Sequence, residues 1–102
     1  MTGLASLSFS GDRMCVSGQI DFASVIPLEL EGETWLRREA PDACVVDMGD
    51  VRQCNSAGAA LLLSWLRTAG AVGKTLSIEN MPENLLAQVH LADLEDVLPA
   101  AT

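Results

Sequence analysis

The stretch ACVVDMGDVRQCNSAGAALLLSWLRTA, residues 43–69, joins an apolar run to a helical pattern through a short polar segment. The run from Ala43 to Met48 is short and apolar, which suits a central strand. A polar loop is predicted from Gly49 to Asn55. Ser56 then opens a helix that is predicted to reach about Ala69. A strand, a loop and a helix in this order predict an α/β architecture.

Elements of alternating type flank this unit on both sides. In chain order the patterns predict a β-hairpin with strands over residues 4–9 and 13–17, a helix over residues 24–39, a strand over residues 74–79 and a third helix after residue 82. Gly70 and Gly73 are predicted to end the second helix, and residues 94–98 to add a short strand or helical turn. We therefore expect one domain over residues 1–102, with a mixed β-sheet of about four to five strands and helices packed mainly on one face.

The composition argues against several classes of function. Six Lys and Arg against fourteen Asp and Glu give a formal net charge of −8, which repels nucleic-acid phosphates and anionic lipid headgroups. The longest apolar run, Ala57 to Leu66, is interrupted by Ser64 and is about half of the ~20 residues that a spanning helix requires. Residues 1–10 carry no Lys or Arg before a hydrophobic segment, so no secretory signal is indicated. We expect a cytoplasmic domain without nucleic-acid binding or membrane insertion.

Cysteines and acidic residues give no indication of a metal or cofactor. Cys15, Cys44 and Cys54 are odd in number, form no C-x-x-C pair and accompany a single His, so neither a disulfide framework nor a zinc site is indicated. Burial statistics favour an ordinary packed Cys54 over a reactive thiol. The aspartates Asp21, Asp47 and Asp50 match neither an EF-hand loop nor a paired-carboxylate site. We therefore expect no metal and no cofactor.

Ser56 is the pivot of the strand-to-helix junction. Its hydroxyl could serve only as an N-cap that accepts a hydrogen bond from a backbone amide, a role worth roughly 1 kcal/mol. It could also be a functional group, because a hydroxyl at a helix start sits in the positive end of the macrodipole, where a phosphate or a partner carboxylate is favoured. The two roles are compatible.

The junction resembles the signature of a known family. The Asp-Ser-Ser-Gly-Leu signature of STAS domains is similar to the segment NSAGAALLL, residues 55–63. The family's G-E-L-D motif is similar to GQID at residues 18–21, its central strand to residues 44–48, and its later strand to residues 76–80. Order and spacing agree over nearly the whole chain, and the resemblance implies the STAS fold.

Within the family, the chain resembles the STAS subunit of Mla-type phospholipid ABC transporters, through Leu28 after Pro27 and the segment DVLP at residues 96–99. This resemblance implies a non-catalytic cytoplasmic subunit that binds the transporter's ATP-binding subunit and, through it, the membrane permease. Such a subunit stabilises or activates the ATPase of a system that maintains outer-membrane lipid asymmetry. The implied partner-binding residues are Asn55, Ser56, Ala57 and Gly58.

A second branch of the family leaves an alternative open. In anti-sigma-factor antagonists a partner kinase phosphorylates the hydroxyl residue that corresponds to Ser56. The family's acidic residue before it is Asn55 here, and the second Ser of the signature is Ala57. Both departures weaken the phosphorylation hypothesis and leave docking unaffected.

The second helix carries more apolar surface than one core-facing side needs. Residues 59, 62, 66 and 69 share a strip that should face the sheet, whereas Leu61 and Trp65 lie on the strip of residues 57, 61, 65 and 68. An exposed Leu and Trp beside Ser56 resemble an interface hot spot, so we predict that Leu61 and Trp65, with Ser56, form the centre of the partner-binding face. The alternative is that Trp65 belongs to the domain's own core, in which case Ile26 and Leu30 are the next apolar pair outside the core stripe.

Two further patterns suggest enzymes but lack the required context. Residues 73–75, Gly-Lys-Thr, end like a phosphate-binding loop, but they leave a helix and enter a strand, whereas such a loop joins a strand to a helix. His90 and Ser56 could suggest a catalytic triad, but no G-x-S-x-G elbow is present. We expect a protein that is not an enzyme.

Overall fold

A computed structural model describes residues 5–86, which form one mixed four-stranded sheet and its covering helices. The strands are β1 (Ser6–Ser10), β2 (Arg13–Ile20), β3 (Ala43–Cys54) and β4 (Thr75–Glu79), in the spatial order β1-β2-β3-β4. The pair β1 and β2 is antiparallel, whereas β2 with β3 and β3 with β4 are parallel. The helices are α1 (Val25–Arg38) and α2 (Ala57–Ala71), and residues 83–86 begin another helical segment. The expected mixed sheet is confirmed.

One face of the sheet forms the core. Side chains in a strand alternate between the two faces. The buried positions follow this alternation: Met14 and Val16 in β2, Cys44, Val46 and Met48 in β3, and Leu76 and Ile78 in β4. Buried residues of α1 and α2 complete the same cluster, so both helices cover this face as the sequence predicts. None of the helices within residues 5–86 combines the length and hydropathy needed to cross a bilayer.

The predicted loop from Gly49 to Asn55 is wrong, because β3 continues to Cys54. β2 also runs beyond its predicted end and pairs with this extension, for example Gly18 with Val51 and Ile20 with Cys54. The backbone N–H and C=O groups of the extension form hydrogen bonds with β2. These bonds do not depend on which side chains the extension carries. The pairing of β4 ends at Asp47 and Glu79, so most of the extension is exposed and its sequence is correspondingly polar.

The open face of the sheet carries a polar network across three strands. Arg13 contacts Asp47 at 3.2 Å and Glu79 at 2.6 Å. The other oxygen of Asp47 accepts hydrogen bonds from Asn80 Nδ2 at 3.0 Å and from the Gly49 amide at 2.9 Å. The Asn80 bond first, and then the Gly49 amide, hold the pKa of Asp47 below its ordinary value. Asn80 has a φ of 57°, a region that Asn tolerates better than most residues.

This network predicts a pH-dependent contribution from Asn80. Because the folded-state pKa of Asp47 is lowered, its contribution to stability is present above its unfolded pKa of about 4 and is lost as the pH falls through the folded value. We expect Asn80→Gly, which keeps the positive φ accessible, to lower the free energy of unfolding by about 1 kcal/mol at pH 7 through the lost bond. Urea unfolding at pH 7 and pH 3 measures the difference in the free energy of unfolding between the wild type and Asn80→Gly. A deficit that is the same at both pH values would contradict this role, since added chain flexibility does not depend on pH.

Candidate functional site

The candidate site lies where the carboxyl ends of β2 and β3 meet the start of α2. The last residues of the two strands, Ile20 and Cys54, are paired, and the Asn55 amide donates to the Ile20 carbonyl at 3.2 Å. α2 begins at Ala57, two residues later. The chain therefore turns from strand to helix within Asn55 and Ser56, and both residues are exposed.

Asn55, and not Ser56, supplies the side-chain bond at the start of α2. Asn55 Oδ1 accepts a hydrogen bond from the Ala57 amide at 2.8 Å, and the Asn55 carbonyl accepts from the Gly58 amide at 3.0 Å. Ser56 already has helical dihedral angles, φ −62° and ψ −15°, and its side chain makes no capping bond. The interpretation of the Ser56 hydroxyl as an N-cap is therefore wrong. The hydroxyl stands on an exposed residue beside the positive end of α2.

Ala57 and Gly58, also expected to contact a partner, are buried beneath this turn. A Cβ atom on Gly58 would lie 2.1 Å from Cys54 Sγ, a distance that no methyl group could occupy. Glycine at this position lets the first turn of α2 pack directly on the end of β3. Burial raises the pKa of the Cys54 thiol, as expected for a packed cysteine rather than a reactive one. Ala57 and Gly58 therefore position Ser56, and because they are buried they offer little surface to a partner.

An open cleft of about 410 Å³ lies beside the turn and is lined by Asp21, Arg52, Asn55 and Asn84 among others. Asp21 Oδ1 accepts hydrogen bonds from the Ala23 and Ser24 amides at 3.0 and 2.9 Å, which fixes the entry to α1. Asn84 Nδ2 donates to the Cys54 carbonyl and ties the segment after β4 to the end of β3. The cleft is thus a polar depression held by backbone-directed bonds.

The expectation that Leu61 and Trp65 face solvent is wrong, since both side chains are 0% exposed. Trp65 Nε1 donates to the Glu29 carbonyl at 3.2 Å, and a Cβ atom on Gly32 would lie 2.5 Å from the indole ring. The helical wheel assumed that only the sheet covers α2. In the structure α1 covers a second side of α2, so the strip of residues 57, 61, 65 and 68 is buried and Trp65 belongs to the core. Ala59 and Leu66, from the strip expected to face the sheet, are only half-buried.

The remaining chemical candidates have structural roles or lie outside the described residues. Lys74 Nζ donates to the Leu36 and Ala40 carbonyls at 2.7 and 2.5 Å, so the ammonium stabilises the end of α1. Within residues 5–86 no group of three His, Cys, Asp or Glu side chains is placed to hold a metal. His90 and the predicted element at residues 94–98 lie outside the described residues.

The architecture, with two helices on one face of a mixed sheet and an exposed Asn-Ser turn at the start of α2, is that of a STAS domain. Solved structures of several proteins share it, among them the following three. The MlaB subunit of the Acinetobacter MlaFEDB complex, in its ATP-bound Vtrans2 conformation, superposes with a TM-score of 0.82 at 23% identity, covering 94% of this chain and 99% of that chain. The Bacillus cell fate determinant SpoIIAA in its phosphorylated form gives a TM-score of 0.69 at 17% identity, covering 96% and 91%. An anti-sigma factor antagonist from Mycobacterium paratuberculosis gives 0.69 at 22% identity, covering 96% and 85%.

A family model described as Mlab, STAS domain, matches residues 5–99. The chain therefore belongs to the MlaB-type STAS domain family. No curated protein sequence matches the chain. The resemblance seen in the Asn55–Gly58 signature is thus confirmed at the level of the family.

Proposed function

We propose that the chain is a non-catalytic STAS subunit that binds the ATPase of an Mla-type phospholipid ABC transporter, stabilises or activates it, and so contributes to outer-membrane lipid asymmetry. The observation that carries the proposal is the match of the MlaB-type family model over residues 5–99. The subunit is cytoplasmic and reaches the inner membrane only through the ATPase and its permease. It contributes no chemistry and uses no cofactor.

The docking face in this proposal is centred on Ser56 and Asn55. The exposed Ser56 hydroxyl can donate a hydrogen bond to a partner carboxylate or carbonyl, and the positive end of α2 strengthens such a bond. Beneath it, Gly58 and Cys54 hold the turn rigidly against β3, so little conformational entropy is lost on binding. Ala57, Gly58, Leu61 and Trp65 act in this account by supporting the face from below.

Co-elution with the cognate ATPase tests the proposal directly. The chain and the purified ATP-binding subunit, at micromolar concentrations, should elute together from a size-exclusion column. The complex should hydrolyse ATP faster, or unfold at a higher temperature, than the ATPase alone. The isolated chain should neither bind nor hydrolyse ATP, because its Lys74 is already bonded to the end of α1. Failure to co-elute, or micromolar affinity of the isolated chain for ATP, would contradict the proposal.

A second candidate function, an anti-sigma-factor antagonist switched by phosphorylation of Ser56, has one observation in its favour. The Ser56 hydroxyl is exposed and makes no capping bond, so a kinase could reach it, and the helix start would stabilise the added phosphate. Asn55 and Ala57 depart from the phosphorylated pattern, which places this function second. Stoichiometric phosphate on Ser56 after incubation with ATP and the cognate kinase, measured by mass spectrometry, would reverse the order.

A further inference from the structure

Three large apolar side chains project from the outer side of α1 and the turn before it. Phe22 is 67% exposed, Ile26 is 64% exposed and Leu30 is 59% exposed. Ile26 and Leu30 are four residues apart on α1 and so lie on the same side of it, and Phe22 stands in the turn that precedes the helix. We call these three side chains the α1 ridge. The helical pattern in the sequence identifies Ile26 and Leu30 but not Phe22, which precedes that pattern.

The α1 ridge is not needed for the fold. The opposite side of α1 supplies the core through Leu28, Trp35 and Leu36, all of them nearly fully buried. A surface helix ordinarily pairs one apolar side with a polar one. An apolar line kept on the solvent side of such a helix is typical of a surface that contacts another molecule.

Carboxylates border the α1 ridge on both sides. Helical geometry places Glu29 on one side of the line and Glu31 on the other. Ion pairs within residues 5–86 join Arg13 to Asp47 and Glu79, and Arg37 to Glu33, so neither Glu29 nor Glu31 takes part in one. From residue 21 to residue 36 the chain contains four acidic residues and no Lys or Arg. Arg37, seven residues after Leu30, lies on the same side of α1 and is paired with Glu33, so the charges beside Ile26 and Leu30 are predominantly negative.

This charge pattern argues against some of the molecules that could bind the α1 ridge. A second copy of the chain, related by a two-fold axis, would bring Glu29 and Glu31 near their own equivalents, and two molecules of net charge −8 repel each other. Anionic lipid would be repelled for the same reason. A helix with an apolar stripe and cationic borders would bury the apolar side chains of the ridge and pair its Lys or Arg side chains with the neighbouring carboxylates.

We propose that the α1 ridge binds an amphipathic helix of another protein, whose apolar stripe is bordered on both sides by Lys or Arg. Within α1, Ile26 and Leu30 span about 6 Å at ~1.5 Å per residue, and Phe22 extends the ridge into the preceding turn, so two to three turns of the partner helix suffice. The ridge adjoins the candidate site, since Asp21, next to Phe22, lines the same cleft as Asn55. One partner could therefore contact both surfaces, although the ridge proposal does not require the partner to be an ATPase.

A labelled model peptide tests the ridge without knowledge of the natural partner. The probe is an 18-residue helix with Leu on one stripe and Lys elsewhere, compared with a matched peptide that has Glu in place of Lys. Fluorescence anisotropy should show binding of the Leu-Lys peptide only, and amide shifts in NMR spectra should fall within residues 22–31. Ile26→Ser with Leu30→Ser should weaken binding at least tenfold, while the conservative control Ile26→Leu with Leu30→Ile should retain it.

A charge reversal makes the test specific. Glu29→Lys with Glu31→Lys should weaken binding of the Leu-Lys peptide and permit binding of the Leu-Glu peptide, even though the chain stays net negative. Ile26, Leu30 and Glu31 are exposed and Glu29 is half-buried, and thermal unfolding verifies that each variant folds. Four results would each overturn the proposal: no binding, binding unaffected by the Ser variants, self-association of the chain that those variants abolish, or ridge-dependent binding to anionic vesicles.

Discussion

Replacing Trp65 with alanine should lower the free energy of unfolding by about 3–5 kcal/mol, because the indole is 0% exposed and fills the space between α1 and α2. The loss has two parts: a cavity between the helices, and the hydrogen bond from Nε1 to the Glu29 carbonyl. Urea unfolding followed by circular dichroism measures it.

Trp65→Phe is the matched control. It keeps an aromatic ring over Gly32 and removes the Nε1 donor, so it should lose much less stability than Trp65→Ala. Leu61→Ala should cost about 2–5 kcal/mol for the same reason as Trp65→Ala, since Leu61 is equally buried. If Trp65→Ala instead unfolds like the wild type but loses affinity for the partner, the core assignment is wrong and the indole belongs to the interface.

Gly58→Ala should destabilise the protein by about 1–3 kcal/mol, although alanine is the better helix former. The added Cβ would lie 2.1 Å from Cys54 Sγ, so the first turn of α2 would have to move away from β3. Removing the sulfur should relieve the clash. We therefore expect Gly58→Ala with Cys54→Ala to be more stable than the sum of the two single changes, with a coupling of about 0.5–3 kcal/mol.

Gly70→Ala provides the control within the same helix. No atom lies within 4 Å of a Cβ at Gly70, so this change should stabilise the protein by about 0.5–1 kcal/mol. Gly58 and Gly70 therefore should respond in opposite directions to the same substitution. If Gly58→Ala stabilises as much as Gly70→Ala, the close contact with Cys54 is not what requires glycine in the signature.

The fold was largely predictable because local patterns and the sheet agree. The alternating residues 74–79 and the apolar run from Ala43 to Met48 both lie in strands, and their buried side chains face the core. The extension of β3 was not predictable, since residues 49–53 gain their structure from pairing with β2 and not from their own apolar pattern. The prediction that Gly70 ends the second helix is wrong, because Gly70 lies inside α2, and an exposed glycine weakens a helix without ending it. Gly73, with a φ of 73°, follows the end of α2 as predicted.

The position of the strand-to-helix turn was predictable, whereas the roles of its two residues were not. The motif located the exposed turn at Asn55 and Ser56 correctly. Which of the two caps α2 depends on dihedral angles that the sequence does not reveal, although Asn is as good a capping residue as Ser. Trp65 was ambiguous because a helical wheel does not show that α1 covers a second side of α2.

Calorimetric titration of the purified ATPase with two charge variants tests whether the Ser56 face binds the transporter's ATPase. Ser56→Asp should fold, since Asp is favourable at a helix start, and should weaken binding at least tenfold because it adds a charge at a desolvated contact. Ser10→Asp is the control and adds the same charge on an exposed residue. Ser10 pairs with Arg13, the first residue of β2, so it lies at the opposite end of β2 from the Ser56 turn. We expect near wild-type affinity for Ser10→Asp and a loss of tenfold or more for Ser56→Asp. Equal affinities for the two folded variants would contradict it.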